Sequence, residues 1–462
     1  MRYLLTTPDA PALVELGFAS IAHVPFLIRE DGYYPAEVNR YIRARALLEL
    51  ELKLGTKDRL GESKRTSSRR RRTFLSLQST KAVAEKISEF LRWCDKTERD
   101  WRSIEYVADV IQWQRQLLAG TASASGKALG PDRVNQLINE ACYFLTWASE
   151  TPTDALPAMR PPFYVPASEV WADMVSSGTS AASPRRELKE VRAGALPSAP
   201  LKLSLPEPHE VEKWLAAMRT RFPVKALAAE TITSAGLRIS EANQMLVETL
   251  PPRDQWRRRM SDGHLMVWIT HGIKGPKESP FSAKSVKPRE VPFPLDLAER
   301  IDHYRSVTRP NQLRKWIKSG QDREERDRRS RAPKPTRLWL SESSNQPFAN
   351  KQLYVAWTQV AHCPQDWHPH AGREYFAVET IVAWIRNDLA ARGATKVPEL
   401  TWLMGAMRDQ VRLLLTPILG HVSDETTRIY LRQVHRRLIA EFGHPALSWS
   451  DHVDMDDEGN GG

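Results

Sequence analysis

Residues 153–203 divide the chain into two parts that must fold around separate cores. This stretch is dense in Pro, Ser, Ala and Gly, as in the runs PTDALPAMRPPFYVP and SSGTSAASP. Such a composition buries little apolar surface, so we predict a linker here, with one short helix around Ser168–Met174. A chain of 462 residues allows roughly three domains at about 150 residues each, so both flanking parts can bury a core.

The part before the linker has apolar residues at helical spacing. A first helix is predicted over Ser79–Cys94, with Ser79 or Thr80 as its N-cap, and a third opens at Gly130–Asp132. The second is marked by Val107, Val110, Ile111 and Leu118. We therefore expect a small helical domain over 73–152, preceded by an N-terminal extension, 1–72.

Helical periodicity returns after the linker, near Leu205, and is interrupted by two strand-like runs. These are His264–Thr270 and Glu290–Phe293, which predict an antiparallel hairpin with a long connection. From Lys351 onward the pattern is helical again. The expected fold class is mainly α with a small antiparallel β-sheet, an α+β fold, with its second domain over 204–445.

The charge of the chain is concentrated in two basic blocks. The formal net charge is +11, residues 57–72 carry eight Lys or Arg against two acids, and residues 311–337 carry ten against four. Such blocks concentrate potential where a polyanion binds, and nucleic acid is the usual polyanion; the alternative is a solvated charge run. Residues 446–462 form an acidic tail, with five acids and no Lys or Arg over 451–462.

Cysteine usage and hydropathy limit the compartment. Cys94, Cys142 and Cys363 stand far apart without a C-x-x-C pair, so neither a disulfide framework nor a cysteine-based zinc site is expected. No stretch approaches the roughly 18 apolar residues that span a bilayer. We expect a reducing, cytoplasmic location, associated with the nucleoid in a prokaryote, rather than secretion or membrane insertion.

Four strings of the second part carry chemically capable side chains. They are AGLRISE at 235–241, GIKGPK at 272–277 with REVPFP at 289–294, PHAGR at 369–373, and LGHVSDETTRIY at 419–430. Their types and order resemble the catalytic boxes of the tyrosine recombinase, or phage integrase, family. The resemblance covers roughly residues 205–445, and the segment 73–152 is similar to that family's core-binding domain, a helical (SAM-like) DNA-binding domain.

The chemistry of phosphodiester cleavage explains these residue types. A Tyr hydroxyl has a reference pKa near 10, so Tyr430 as nucleophile needs a proton acceptor and a site that stabilises negative charge. Arg238 and Arg373 are suited to hold the nonbridging oxygens, because a guanidinium stays protonated and presents a rigid fork of donors. His370 would assist proton transfer, since imidazole titrates near neutral pH.

The resemblance implies further roles. His421 would be a third donor to the same oxygens, and Lys274 would protonate the leaving 5′-oxygen, in preference to Lys277, Lys284 or Lys287. Glu241, one helical turn after Arg238, matches a carboxylate that orients active-site groups. The product would be a 3′-phosphotyrosine bond, which needs no metal, ATP or other cofactor. The expected DNA-binding side chains of the first basic block, together with Lys277, are Lys64, Arg65, Arg69, Arg70, Arg71 and Arg72.

The chain departs from the family pattern in three places. Glu374 follows Arg373 where His is common, and Gly372 stands where Leu is common. Arg373 and His421 are 48 residues apart, which predicts an inserted helix or loop around 387–410. The block 311–337 is a second insertion.

The resemblance implies that the partner is double-stranded DNA. It also implies a homo-tetramer on two duplexes and a monomer or dimer when the protein is free of DNA. Whether an accessory protein takes part is left open. The segment 436–450 could be exchanged between subunits or pack on its own subunit. A type IB topoisomerase would use the same residue types to relax supercoils, and a protein that only binds or bridges DNA could share the scaffold. The separate helical domain favours a recombinase that integrates or excises a mobile element.

Overall fold

The computed structural model describes residues 2–47, 75, 77–123, 125–150, 164–166, 190–197, 203–261, 263–275, 282–393, 407, 411–420 and 424–442. The chain groups into two compact units, Met1–Pro200 with Ser279–Ser282, and Leu201–Glu278 with Ala283–Gly462. The domain boundaries expected above stay predictions. Within the described ranges, no helix is both long and apolar enough to cross a membrane.

The first unit combines helices with two pairs of short antiparallel strands, β1 with β2 and β3 with β4. Its strands are β1 (Tyr3–Thr6), β2 (Phe26–Arg29), β3 (Tyr164–Pro166) and β4 (Glu190–Arg192). Its helices are α1 (Ala10–Glu15), α2 (Ala36–Leu47), α3 (Leu77–Lys96), α4 (Ile111–Ala119) and α5 (Pro131–Glu150).

The predicted apolar stripe of α3 forms the centre of this unit's core. Val83, Ile87, Phe90, Leu91 and Cys94 are all buried, and the three predicted helices of this part are confirmed. The expected N-cap is wrong, because α3 begins at Leu77 and Ser79 and Thr80 lie inside its first turn. Val107 does not face the core either: it is 78% exposed, since residues 106–110 form a wider π-turn before α4.

Residues before the first basic block belong to the same core. Tyr41 of α2 is fully buried and donates a hydrogen bond to Glu140 Oε1 of α5 at 2.7 Å. Val24, Leu27 and Ile42 are buried in the same cluster. The N-terminal segment is thus a packed layer on the helices.

The predicted linker contains ordered structure at its two ends. β3 and β4 pair antiparallel, with Val165 opposite Val191. Arg192 is buried and donates to Gln114 Oε1 at 2.7 Å and to Asn139 Oδ1 at 3.1 Å. One buried guanidinium with side-chain partners holds the segment 190–197 on this unit, a feature that average composition does not reveal. The helix expected at Ser168–Met174 lies outside the described residues.

The second unit is a helical assembly around a three-stranded sheet ordered β5–β6–β7. Its strands are β5 (Met260–Ser261), β6 (His264–His271) and β7 (Lys284–Pro294). Its helices are α6 (Pro208–Arg221), α7 (Pro223–Ala235), α8 (Ile239–Asn243), α9 (Trp256–Arg259), α10 (Leu295–His303), α11 (Arg309–Lys318), α12 (Arg323–Arg331), α13 (Asn350–Gln359), α14 (Pro369–Ala391), α15 (Thr416–Leu419) and α16 (Asp424–Phe442).

The predicted hairpin is confirmed as β6 and β7, which pair antiparallel with Val267 opposite Val291. Leu265, Val267 and Ile269 are buried, whereas Trp268 between them is 44% exposed, so alternate side chains of β6 face the core. The expected fold class, mainly α with a small antiparallel sheet, is confirmed. This sheet with its connection, and α8, α14 and α16, carry the side chains of the candidate site.

The two expected insertions have different outcomes. Residues 311–337 form the helices α11 and α12 with their connection, where the sequence indicated only a basic stretch. In the second, α14 continues to Ala391, while 394–406 and 408–410 lie outside the described residues. Leu438 of α16, in the described start of the 436–450 segment, is fully buried in this unit's core. Exchange of the segment between subunits stays a prediction.

Candidate active site

A glycine turn places Arg238 at the start of α8. Gly236 ends α7 with a φ of +67°, and a Cβ on it would lie 2.5 Å from Phe376 Cδ1, so both the backbone conformation and the packing need glycine. Arg238 then caps α8: its backbone N–H donates to Glu241 Oε2 at 2.7 Å. The side chain also folds back, and Nη1 donates to Glu241 Oε1 at 2.9 Å.

Glu241 is the centre of an arginine cluster, which we define as Arg238, Arg289 and Arg373. Its side chain has no exposed surface. Arg289 binds it with both terminal nitrogens, at 2.7 Å to Oε1 and 2.6 Å to Oε2, and Arg373 Nη1 lies 3.7 Å from Oε2. Burial is the largest single effect and raises the pKa of Glu241, but the hydrogen bonds and charge of Arg289, the Arg238 N–H and the charge of Arg373 together outweigh it and lower the pKa. The carboxylate is therefore ionised and holds three cations together.

Arg289 is a site residue that the sequence analysis missed. It lies on β7, and Val291 and Phe293, at alternate positions after it, are both fully buried. An Arg on the core-facing side of a strand must find a buried anion, so this alternation was the available signal. The string REVPFP is part of the predicted motif, but the family pattern gave no role for its Arg.

The three guanidiniums also bind three consecutive carbonyl groups. Arg289 Nε donates to the oxygen of Ile418 at 2.6 Å, Arg373 Nη2 donates to that of Leu419, and Arg238 Nη2 donates to that of Gly420 at 2.8 Å. These carbonyls end α15 directly before residue 421. The cluster thus fixes the backbone from which His421 follows, although His421 itself lies outside the described residues.

Arg373 is the most enclosed cation of the cluster. It lies in the second turn of α14, is 5% exposed and also donates to the carbonyl of Gly236. Burial first, and then repulsion from Arg238, lower its pKa to about 9. It stays protonated at pH 7.

Gly372 is explained by its neighbour. A Cβ on it would lie 2.6 Å from Trp357 Cη2, so the Leu common in the family has no room here. Pro369 at the first helical position and the His368 ring, whose Nδ1 accepts from the Ala371 N–H at 3.1 Å, start the helix that carries these residues.

His370 and Glu374 lie one turn apart on α14, with Nε2 and Oε1 3.5 Å apart. The pKa of His370 is lowered by desolvation and by the positive charge of Arg373, so its ring is largely neutral at pH 7. Burial raises the pKa of Glu374 to about 7, with Arg373 acting in the opposite direction. A carboxyl group with a pKa of about 7 thus stands next to an imidazole whose pKa is lowered.

Tyr430, on α16, is 5% exposed. Burial raises its pKa to about 12, and the charge of Glu374 acts in the same direction, whereas Arg373 and Arg238 act to lower it. The helices α14 and α16 pack against each other, and charges of α14 and of the arginine cluster act on this phenol. An unassisted phenol at this position would stay protonated.

Lys274 is exposed on the connection between β6 and β7, directly after the buried Ile273. The base of this connection is attached to α8, because Ser240 Oγ donates to the Gly272 carbonyl at 2.7 Å. A Cβ on Gly272 would lie 2.2 Å from the backbone carbonyl oxygen of Ser240, so the two backbones approach closely here. The charge of Lys274 also acts on His370. Lys277 lies outside the described residues, whereas Lys284 and Lys287 are exposed on β7.

Of the expected site residues, the second unit therefore gathers Arg238, Glu241, Arg373, His370 and Tyr430, with Lys274 on the adjoining connection. The basic side chains Lys64, Arg65, Arg69, Arg70, Arg71 and Arg72 lie outside the described residues. In the part of the chain that the structure describes, no group of three or more His, Cys, Asp or Glu side chains could hold a metal ion.

Comparison with known proteins finds similar chains among solved structures only. No protein-family model and no curated protein matches the chain. It is similar to the solved XerH site-specific recombinase in a post-cleavage complex with palindromic difH substrate, at 15% identity and a TM-score of 0.44, over 79% of each chain. It is also similar to the Tn1549 transposon integrase in complex with transposon right end DNA, at 13% identity and a TM-score of 0.40, over 79% of this chain and 94% of the other.

These solved structures are a recombinase and an integrase, which is the class that the four sequence strings resemble. The XerA recombinase is a further match, at 12% identity and a TM-score of 0.31, over 81% of this chain and 94% of that one. Because the identities are this low and the TM-scores stay below 0.5, the function proposed below rests on the geometry of this chain's own residues.

Proposed function

We propose that this chain is a site-specific DNA recombinase of the tyrosine type, which cleaves and rejoins DNA through a 3′-phosphotyrosine intermediate. The observation that carries the proposal is the cluster of Arg238 and Arg373 around the buried Glu241, with Tyr430 on the helix packed against α14. Two fixed guanidiniums beside a nucleophilic side chain suit a reaction in which negative charge develops on phosphate oxygens.

In the proposed cleavage step, the Tyr430 oxygen attacks phosphorus and forms the tyrosyl–phosphate bond while the bond to the 5′-oxygen breaks. The leaving oxygen takes a proton from Lys274, and Arg238 and Arg373 stabilise the nonbridging oxygens. Losing one preorganised donor of this kind costs about 10² to 10³ in rate in other enzymes. His421 would add a third donor, as the resemblance implies. A 5′-hydroxyl from a second DNA strand reverses the step and completes the exchange.

The phenol must lose its proton as the bond to phosphorus forms, because the pKa of Tyr430 is about 12. His370 is the proposed acceptor, since its lowered pKa leaves the ring neutral at pH 7. Glu241 has a different role: it orients Arg238 and Arg373 without facing the phosphate, because its oxygens are already engaged by arginines and by the Arg238 N–H.

We further propose that the chain works on a mobile element, as a homo-tetramer that holds two duplexes. The natural substrate would then be the junction between the element and its host DNA. Short direct or inverted repeats beside the gene would identify that junction.

The direct test is adduct formation on a nicked suicide duplex of that junction. The wild-type chain should become covalently attached to DNA, and Tyr430→Phe should form no adduct. Tyr354→Phe is the matched control, because Tyr354 is a 48% exposed residue of α13 in the same unit, and it should react like the wild type. A chain that binds the junction and yields no adduct would instead be a DNA-bridging protein, and relaxation of a supercoiled plasmid without exchange would indicate a topoisomerase.

A further inference from the structure

A helical hairpin in the second unit carries an excess of exposed positive charge. We call it the basic hairpin; it comprises α11, α12 and the following residues to Lys334. Its exposed cations are Arg314, Lys315, Lys318, Arg323, Arg326, Arg328, Arg331 and Lys334, against the exposed acids Asp322, Glu324 and Asp327. Among the described residues, Arg328 alone of these cations has a carboxylate oxygen within 4 Å, Glu325 Oε1 at 3.7 Å.

The basic hairpin is built as a defined shape, although α12 has no buried residue. Arg329 joins its two helices, because Nη1 donates to the Trp316 carbonyl at 2.7 Å and the guanidinium lies 5.1 Å from the Trp316 ring centroid. The first helix is fixed at its base by the buried Arg309, which donates to the carbonyls of Leu338 and Arg337, each at 3.0 Å. A freely solvated charge run would need none of these contacts.

The base of the hairpin is joined to the segment that carries the candidate active site. The Leu338 N–H donates to the Met245 carbonyl at 2.8 Å, and Trp339 Nε1 donates to the Ala242 carbonyl at 2.7 Å. Ala242 directly follows Glu241 in α8. A ligand held by the hairpin would therefore be held in a fixed position relative to the arginine cluster.

We propose that the basic hairpin binds the phosphate backbone of duplex DNA beside the cleaved phosphate, as an anchor that does not read base sequence. The inference rests on the proposed function. Many Lys and Arg side chains without carboxylate partners fit the regular negative charge of a duplex, and phosphate contacts of this kind fix register rather than sequence. A membrane surface fits less well, because α12 has the sequence REERDRRSR and offers no apolar face.

The test compares two triple variants of the full chain. The hairpin variant removes three positive charges from the basic hairpin by Arg314→Gln, Lys315→Gln and Lys318→Gln. The control variant removes three positive charges from exposed positions elsewhere in the unit by Lys213→Gln, Arg257→Gln and Lys351→Gln. Binding to a labelled duplex of about 60 base pairs is measured by anisotropy across about 50 to 300 mM salt. Log K falls as log salt rises, and each lost phosphate contact makes this slope shallower by about 0.9. The slope of the hairpin variant should therefore be shallower by about 2 to 3, and its affinity at 0.1 M salt should be about 10²-fold weaker.

Three results separate the possibilities. If the hairpin variant loses slope and the control variant keeps most of its slope, the inference is supported; Arg323→Gln, Arg328→Gln and Arg331→Gln on α12 should then reproduce the loss. If both triple variants change equally, net charge explains the effect and the inference fails while the proposed function stands. If the wild type shows no salt-dependent binding to duplex DNA, the proposed function and this inference both fail. Circular dichroism of each variant confirms that its helices are retained.

Discussion

Replacing Glu241 by Gln should damage both the stability and the activity of the second unit. Gln keeps the shape of the side chain but removes the negative charge that Arg238, Arg289 and Arg373 share. It also offers a single carbonyl oxygen where the carboxylate now accepts four hydrogen bonds, three from guanidiniums and one from the Arg238 N–H. The amide NH₂ would face a guanidinium, which is a second donor.

The expected cost follows from the burial of the group. The side chains of Glu241, Arg373 and Arg289 are 0%, 6% and 10% exposed. Removing one partner of a buried ion pair costs about 3 to 5 kcal/mol, because the remaining charge is left uncompensated. Arg238 would lose its orienting contact as well, so adduct formation should slow by about 10² or more.

The control variant is Glu342→Gln, which removes a carboxylate that is 32% exposed, pairs with Lys225 at 2.8 Å and accepts a hydrogen bond from the Val224 N–H at 3.1 Å. A partly exposed pair of this kind is worth about 1 kcal/mol or less. Urea unfolding followed by tryptophan fluorescence gives the midpoint shift of each variant, and the suicide duplex gives the rate. If Glu241→Gln unfolds within about 1 kcal/mol of the wild type and forms adduct at the wild-type rate, the account of Glu241 as the organising group is wrong.

Three further changes probe the surrounding groups. Glu374→Gln should alter the pH dependence of stability. The pKa of Glu374 in the folded chain, about 7, exceeds the ordinary 4.5, so the stability that this group contributes is complete below pH 4.5 and is lost as the pH rises through 7. Near pH 8 the variant should be about 2 to 3 kcal/mol more stable than the wild type in urea unfolding, and parallel pH profiles of the two proteins would contradict this. Lys274→Ala should slow cleavage by about 10² to 10⁴. The rate should recover on a duplex whose leaving 5′-oxygen is replaced by sulfur, because a thiolate leaves without a proton. Lys284→Ala is the control and should cleave the ordinary duplex at the wild-type rate. Gly372→Leu should destabilise the fold by about 1 to 3 kcal/mol or more, because its Cβ meets Trp357, and an unchanged melting temperature would refute that reason.

The parts of the fold set by periodicity were predictable from sequence. The stripe from Val83 to Cys94 and the alternation in β6 both follow from apolar burial, which acts on every residue of the element. Single polar contacts were harder. Arg192 lies in a segment whose composition favours a linker, and its buried hydrogen bonds to Gln114 and Asn139 come from residues far away in sequence.

The candidate site shows the same division. Arg238, Arg373 and Tyr430 were predictable because four short strings occur together in one order. Glu241 was predictable because it follows Arg238 by one helical turn and matches the family's orienting carboxylate. Arg289 was missed because its partners, the Glu241 carboxylate and the Ile418 carbonyl, come from other elements. The resemblance by itself did not explain why Gly372 and Glu374 depart from the family pattern. The ring of Trp357 explains the glycine, because it leaves no room for a larger side chain. The role of Glu374 is tested by the pH dependence of stability.

One measurement bears most directly on the chemistry: the chain trapped on a nicked junction duplex is digested with protease and nuclease, and the modified peptide is sequenced by mass spectrometry. We expect a single adduct, with Tyr430 joined to a 3′-phosphate and the other strand end left as a 5′-hydroxyl. A linkage through another side chain, a bond to a 5′-phosphate, or cleaved DNA with no attached peptide would contradict the nucleophile assigned here.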